Sequence, residues 1–131
     1  MDEVLTILVV EDDPVYADFV SSTLRAAGHD TSIAYNGASA REYARRERPH
    51  AVILDLGLPD QSGYDVARDL RKGILDQAAV IILLTANPSP GLDMAEAVGI
   101  DIVLSKPVEP LLVSAMIDHV RQRRARRLQK A

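Results

Sequence analysis

Four short apolar segments of this 131-residue sequence are each followed by side chains that could do chemistry. The segments span residues 7–10, 51–54, 80–84 and 100–104. The reactive residues that follow them are, in chain order, Glu11, Asp12, Asp13, Asp55, Thr85 and Lys106. If the segments lie side by side, several carboxylates, one hydroxyl and one ammonium group would meet in one place.

Such a cluster has the composition of a phosphoryl-transfer site. Crowded carboxylates repel one another, and Mg²⁺ offsets that repulsion while still accepting waters and phosphate oxygens as ligands. An aspartate oxygen can attack phosphorus as a nucleophile. A lysine supplies positive charge for a phosphoryl group, and a threonine hydroxyl can donate a hydrogen bond to it.

The apolar segments predict an α/β fold that would bring these residues to one edge of a sheet. Continuous apolar runs suit strands buried on both faces of a parallel sheet, and a weaker run at 30–35 predicts an edge strand. Helical patterns lie between the runs, at 14–27, 38–48, 63–72 and 92–98, with a last helix from Pro110. Because ligands of such sheets bind beyond the carboxyl ends of the strands, the reactive residues fall where a site is expected.

Taken singly, most of these residues also have a structural interpretation. Asp13 directly precedes Pro14 and is predicted to cap the first helix. Glu11 or Asp12 alone could be a solvated turn residue, and Lys106 alone a surface cation. Their joint placement at the ends of separate strands favours the functional interpretation.

Four blocks of the sequence resemble the receiver domains of response regulators in two-component signalling, including the chemotaxis regulators. The blocks read ILVVEDD at 7–13, ILDLGLPDQSG at 53–63, ILLTA at 82–86 and SKP at 105–107. They occur in the family's order and near its spacing, and the resemblance covers residues 6–120. It implies a doubly wound, flavodoxin-like (βα)5 sandwich with a parallel five-stranded sheet in the order 2-1-3-4-5.

The resemblance also implies a phosphoacceptor and a metal site. Asp55 would accept the phosphoryl group. Asp12 and Asp55 would ligate Mg²⁺ directly, Glu11 would do so through a water molecule, and the backbone carbonyl of Gly57 would be a further ligand. Mn²⁺ could replace Mg²⁺.

A second group of residues would bind the phosphoryl group after transfer. By resemblance, Thr85 would donate a hydrogen bond to it and Lys106 would pair with it. The Lys106–Pro107 bond resembles the family's cis peptide, which directs the lysine. Ala86 is small, as the approach of a phosphodonor requires.

The implied reaction is phosphoryl transfer from a sensor histidine kinase or a histidine phosphotransfer protein to Asp55. The domain would catalyse only its own phosphorylation and dephosphorylation, and it would not be an enzyme acting on other substrates. Acetyl phosphate could also serve as a donor. Hydrolysis would reset the switch, tuned by the residues at Gly57 and Asn87, and the phosphorylated form would bind a downstream protein target or an output domain.

The sequence departs from the family pattern in the last strand and in one loop. Val103 and Leu104 stand where receiver domains often carry an aromatic residue that follows the threonine as a switch. Pro88 and Pro90 should stiffen the loop after Thr85, which puts the usual signalling surface of the fourth and fifth helices in question.

Several other functions compete with a self-contained switch. The chain could be the receiver half of a longer DNA-binding or enzymatic regulator, or a receiver-like scaffold that binds partners without phosphorylation. A metal-dependent phosphatase acting on external substrates would need a second aspartate two residues after the nucleophile. Gly57 occupies that position and argues against this enzyme class.

Charge divides the sequence into a predicted receiver domain, 1–120, and a basic extension of the last helix or linker, 121–131. The net charge is −4, but 121–131 holds six cations and no acid, so nine cations and 19 acids remain in 1–120. The extension is interpreted as a solvated helix end, or else as a surface for a partner or a homodimer. Direct nucleic-acid binding is not favoured, because there are no aromatic residues among the arginines. The sequence contains no cysteine, and no apolar stretch is long enough for membrane insertion. No signal peptide is expected, and a cytoplasmic location is predicted.

Overall fold

Five parallel strands form one sheet at the centre of the fold. The computed structural model describes residues 3–86 and 92–130. The strands are β1 (Thr6–Val10), β2 (Asp30–Ala34), β3 (Ala51–Asp55), β4 (Val80–Thr85) and β5 (Ile102–Ser105). Their order across the sheet is β2-β1-β3-β4-β5, and every neighbouring pair is parallel. The predicted doubly wound class and strand order are therefore confirmed.

Five helices connect and follow the strands. They are α1 (Pro14–Ala26), α2 (Gly37–Glu47), α3 (Gly63–Arg71), α4 (Leu92–Ala97) and α5 (Pro110–Lys130). The predicted cap of α1 is present, since the Asp13 carboxylate accepts the Val15 N–H at 3.0 Å. The Ser62 hydroxyl likewise accepts the Tyr64 N–H at 3.1 Å and starts α3 directly after the loop that follows β3.

The three central strands, β1, β3 and β4, are buried on both faces, which explains why they read as continuous apolar runs. Alternate residues of each strand point to opposite sides, so Leu8 and Val10 belong to one core cluster and Ile7 and Val9 to the other. The first cluster includes residues of α2, α3 and α4, and the second includes residues of α1 and α5. The parallel pairing of β1 with β3 and of β3 with β4 aligns the carboxyl ends of the central strands, and a layer of helices covers each face.

The fifth strand begins two residues later than predicted. Ile100 is apolar and buried, but its N–H donates to the Ala95 carbonyl at 2.9 Å and so closes the end of α4 instead of joining the sheet. Gly99, with a φ of +85°, allows this turn. The predicted proline-stiffened loop, including Asn87, lies outside the described residues.

The basic residues at the end of the chain continue α5 as helix. Arg124 pairs with Glu3 at 2.5 and 3.1 Å, and Arg123 pairs with Asp101 at 2.8 Å. Asp101 also pairs with Arg71 of α3, at 2.8 Å. These cations are therefore fixed against acids at the amino-terminal edge of the sheet. Among the described helices, none is both long and apolar enough to cross a membrane.

His50 joins β1 to the start of β3 and makes the fold sensitive to acid. Its Nδ1 accepts the Thr6 N–H at 3.0 Å, which requires the neutral ring. Burial lowers the pKa of His50, and the charge of Arg124 lowers it further. The pKa of a histidine in the unfolded chain is about 6.5. Below that pH the unfolded chain binds a proton that the folded chain binds less readily, so stability falls as the pH drops.

We expect His50→Gln to remove part of this acid sensitivity, because an amide oxygen can accept the Thr6 N–H without titrating. Urea unfolding at about pH 7.5 and about pH 5.5 measures the effect as the loss in unfolding free energy between the two conditions. The loss should be smaller in the variant than in the wild type. Equal losses would show that His50 does not contribute to the acid response.

Candidate functional site

Three carboxylates meet where β1 and β3 end. These strands are neighbours in parallel register, with Val10 opposite Leu54. Glu11 and Asp12 follow β1, and Asp55 is the last residue of β3. One carboxylate oxygen from each of the three lies within 4.8 Å of the others. Glu11 is buried while Asp12 is exposed, so the cluster opens to solvent on the Asp12 side.

Lys106 delivers a positive charge to two of these carboxylates. Its Nζ lies 3.1 Å from Asp55 Oδ1 and also contacts Glu11 Oε1. Its backbone N–H donates to the Thr85 carbonyl at 3.0 Å, which ties the residue after β5 to the end of β4. The Lys106–Pro107 peptide is cis. The ammonium group therefore bridges the end of β3 to the acid after β1.

Thr85 ends β4 beside the end of β3, where Asp55 lies. Asp55 lies opposite Leu84 in the parallel register of β3 and β4, so Thr85 is one residue beyond that pair. The threonine is buried, and Ala86 after it is exposed. The two residues thus occupy the edge of the sheet at which the carboxylates and the lysine meet.

The loop between β3 and α3 packs tightly against the end of β3. The Gly63 N–H donates to the Leu56 carbonyl at 2.7 Å, and Gly57 and Ser62 form an isolated antiparallel bridge. A Cβ atom on Gly63 would lie 2.4 Å from the Asp55 carbonyl oxygen. Gly63 therefore permits a close approach of two backbone segments that sets the position of Asp55.

The same loop is also joined to the start of α2. The Asp60 carboxylate accepts the Gly37 N–H at 2.8 Å and the Ala38 N–H at 3.1 Å. These are free donors of the first helical turn, and a carboxylate there is favoured by both hydrogen bonding and the helix dipole. Backbone donors of Gly37 and Ala38 hold the pKa of Asp60 below its usual value.

The family model for the response regulator receiver domain matches residues 7–118. This chain belongs to that family. Its receiver domain is 38% identical over 109 residues to the DNA-binding response regulator MtrA of Mycolicibacterium smegmatis, a match that covers 79% of this chain and 45% of the relative. The chain spans about half or less of the length of the curated relatives it matches.

Solved receiver domains have the same fold. A CheY-like receiver domain from Methanospirillum hungatei is similar with a TM-score of 0.87 and 22% identity, over 95% of this chain and 99% of that one. The receiver domain of the sensor histidine kinase PA1611 from Pseudomonas aeruginosa is similar with a TM-score of 0.78 and 29% identity, over 87% of this chain and 94% of that one. A magnesium ion is coordinated in the active-site cleft of the PA1611 domain.

The donor set of this receiver domain fits a hard divalent cation. Carboxylate oxygens from Glu11, Asp12 and Asp55 are close enough to share one ion. Mg²⁺ prefers oxygen ligands and retains several waters, and the exposed side of the cluster at Asp12 and Gly57 gives solvent access for them.

Burial and ion pairing shift the pKa values of Glu11 and Lys106 in opposite directions. Burial raises the pKa of Glu11, and the charge of Asp55 adds to that, whereas bonds from Lys106 and the Asp13 N–H lower it without cancelling the rise. Burial acts to lower the pKa of Lys106, but its bonds to Glu11 and Asp55 outweigh burial and raise it. Lys106 is therefore a cation at neutral pH.

Three residues that position this site were not identified from the sequence pattern. Gly63 is part of a matched block, but only the structure places it against the Asp55 backbone. Asp60 caps α2 from another element. Tyr16 contacts Lys106, with Nζ 4.9 Å from the ring centroid, although 90 positions separate the two in the sequence. In each case the signal is a tertiary contact that local periodicity does not contain.

Proposed function

We propose that this receiver domain accepts a phosphoryl group on Asp55 and that the bound group switches its contacts with other proteins. The observation that carries the proposal is the cluster in which Glu11, Asp12 and Asp55 converge with Lys106 Nζ 3.1 Å from the Asp55 carboxylate. An acceptor oxygen, a metal-binding donor set and a cation for the transferred group thus occur together at the end of the sheet.

In the proposed reaction, an Asp55 carboxylate oxygen forms a bond to phosphorus as the bond from phosphorus to a histidine nitrogen of the donor breaks. Asp12, Asp55, the Gly57 carbonyl and, through water, Glu11 would hold Mg²⁺, or Mn²⁺ in its place. When bound, the metal neutralises negative charge on the phosphoryl oxygens. The magnesium ion in the PA1611 receiver domain supports this assignment.

The residues around Asp55 would hold the group once transferred. Lys106 would move its ammonium from the Asp55 oxygen to a phosphoryl oxygen, and the Thr85 hydroxyl would donate a hydrogen bond to another. Ala86 would leave room for the donor. Hydrolysis by water would release phosphate and restore Asp55, with Gly57 and Asn87 tuning its rate.

The proposed phosphodonor is a sensor histidine kinase or a histidine phosphotransfer protein, and the proposed receiver of the signal is a downstream protein or an output domain. We assign residues 1–120 to the receiver domain and 121–131 to a basic extension of its last helix. The proposed location is the cytoplasm, where phosphorylated kinase domains and Mg²⁺ are available. Self-association through the extension or α5 is a further part of the proposal.

A second candidate function is that of the receiver part of a longer DNA-binding regulator. MtrA, with which the chain shares 38% identity, is named a DNA-binding response regulator, and the match covers 45% of its length. Sequencing the gene beyond the Ala131 codon decides between the two. An open reading frame encoding a further domain would favour this candidate, and a stop codon would favour the self-contained switch.

We expect one phosphoryl group to appear on the wild-type protein after incubation with acetyl phosphate and Mg²⁺. Intact-mass measurement should detect it, and it should be absent without Mg²⁺ and in Asp55→Asn. Asp18→Asn, which removes an exposed carboxylate from α1, serves as the control and should be phosphorylated like the wild type. An adduct on Asp55→Asn would contradict the assignment. Failure with both acetyl phosphate and phosphorylated histidine kinases would favour the phosphorylation-independent scaffold.

A further inference from the structure

Tyr16 makes two contacts that join α1 to the chain around Lys106. Its ring faces the lysine, with Nζ 4.9 Å from the ring centroid, and its hydroxyl oxygen accepts the Val108 N–H at 3.0 Å. Tyr16 is thus in contact with a residue on each side of Pro107. Both contacts span about ninety positions of sequence, so they depend on how α1 packs against the segment between β5 and α5.

The tyrosine is itself fixed in place. It lies in the first turn of α1, which starts at Pro14 and is capped by the Asp13 carboxylate. Its ring is half-buried and packs against the core cluster that contains residues of α1 and α5. The ring of Phe19 lies 6.0 Å from it, on the solvent side of the helix. Tyr16 is therefore a fixed surface against which the flexible lysine side chain rests.

We infer that Tyr16 is a positioning residue that holds the Lys106 ammonium towards Asp55. This inference rests on the proposed function, because it assigns a role in phosphoryl transfer. An ammonium group attracts an aromatic face within about 6 Å, and a lysine that loses this contact gains rotamers that point away from the site. The hydroxyl bond to Val108 fixes the backbone from which Lys106 extends.

The contact with Tyr16 complements the two carboxylate contacts of Lys106. Glu11 and Asp55 draw the ammonium into the site, and the ring stands beside it at 4.9 Å. After phosphoryl transfer, the Lys106 ammonium has to exchange its contact with an Asp55 oxygen for a contact with a phosphoryl oxygen, without leaving the site. The ring restricts that movement to a short path, which favours the transition state in which charge passes to the phosphoryl oxygens.

The test compares Tyr16→Leu, which removes ring and hydroxyl, with Tyr16→Phe, which keeps the ring. Tyr43→Leu is the control, because it removes a half-buried ring that contacts a different cation, Arg46 of α2, at 4.7 Å. With acetyl phosphate and saturating Mg²⁺, we expect Tyr16→Leu to be phosphorylated about tenfold more slowly than the wild type. Tyr16→Phe should stay within about threefold of the wild type, and Tyr43→Leu should match the wild type. The Mg²⁺ dissociation constant should change much less than the rate in all three.

A second measurement reads the contact without any phosphodonor. With Nζ 4.9 Å from the ring centroid, the ring should shift the NMR resonances of the Lys106 side-chain protons. This ring-current shift should be lost in Tyr16→Leu and kept in Tyr16→Phe. A rate for Tyr16→Leu equal to that of the wild type, or loss of rate in Tyr16→Phe equal to that in Tyr16→Leu, would overturn the inference. If the proposed function fails instead, the wild type will remain unphosphorylated while its ring-current shift is intact.

Discussion

Gly63→Ala is expected to destabilise this receiver domain by about 3 kcal/mol and to slow the proposed phosphorylation of Asp55. An alanine Cβ would lie 2.4 Å from the Asp55 carbonyl oxygen and 2.9 Å from the Leu56 Cα. Both are backbone atoms, so no side-chain rotation can relieve the clash. The end of β3 must move away from α3, and the Asp55 carboxylate moves with it.

Gly57→Ala is the matched control for stability, because it makes the same change in the loop that leads from β3 to Gly63. Apart from atoms of its two chain neighbours, a Cβ atom at Gly57 would have no heavy atom within 4 Å. Its unfolding free energy should stay within about 0.5 kcal/mol of the wild-type value. Urea unfolding measures both variants, and intact mass after acetyl phosphate treatment measures phosphorylation of Gly63→Ala. If the two variants are equally stable, the close approach at Gly63 is not a constraint on the fold.

The second large effect is expected for Lys106→Met, which removes the positive charge and retains much of the side chain. Lys106 neutralises Asp55 and the buried Glu11, so its loss removes the cation that pairs with both carboxylates. We expect the metal-free variant to be less stable by roughly 2 kcal/mol, below the cost for a fully buried pair because the site is open on one side. Mg²⁺ should then stabilise the variant more than the wild type.

Mg²⁺ should stabilise the variant more because the metal and the Lys106 ammonium compete for the same carboxylate oxygen atoms. In the wild type, a metal ion binding at Asp55 must share that carboxylate with an ammonium group 3.1 Å away. Without the ammonium, the apparent Mg²⁺ affinity should rise about tenfold, equivalent to about 1.4 kcal/mol. Thermal unfolding across a Mg²⁺ titration measures both effects, with Lys72→Met as a control at an exposed lysine. An equal Mg²⁺-dependent rise in melting temperature for wild type and Lys106→Met would contradict the competition.

The sequence predicts those parts of the molecule that depend on local pattern and on the geometry of parallel sheets. Continuous apolar runs locate the central strands, Asp13 starts the first helix, and the carboxyl ends of neighbouring strands bring Glu11 and Asp55 together. The start of β5 was wrong because Ile100 is as apolar as a strand residue but is buried beside α4. Apolar character predicts that a residue is buried, but it does not by itself predict that the residue pairs with a neighbouring strand.

The remaining features depend on how separate elements pack. Tyr16 lies on Lys106 only because α1 and the segment after β5 pack against each other. The cap that Asp60 forms on α2 likewise joins residues 23 positions apart. No periodicity in either segment contains this information. The roles of such residues therefore become visible only in the folded structure, even where motifs indicate the family.

The extended α5 has a consequence for building sensors from this domain. The helix runs to Lys130 and is held by Arg123 and Arg124 on Asp101 and Glu3. A fluorescent reporter joined there through helix-forming residues would take its orientation from the helical phase of α5. Each residue added at the joint would rotate the reporter by about 100° and advance it by about 1.5 Å. Energy transfer to a second fluorophore would then vary with a period of about 3.6 residues, and joint length would select the sensor's angle.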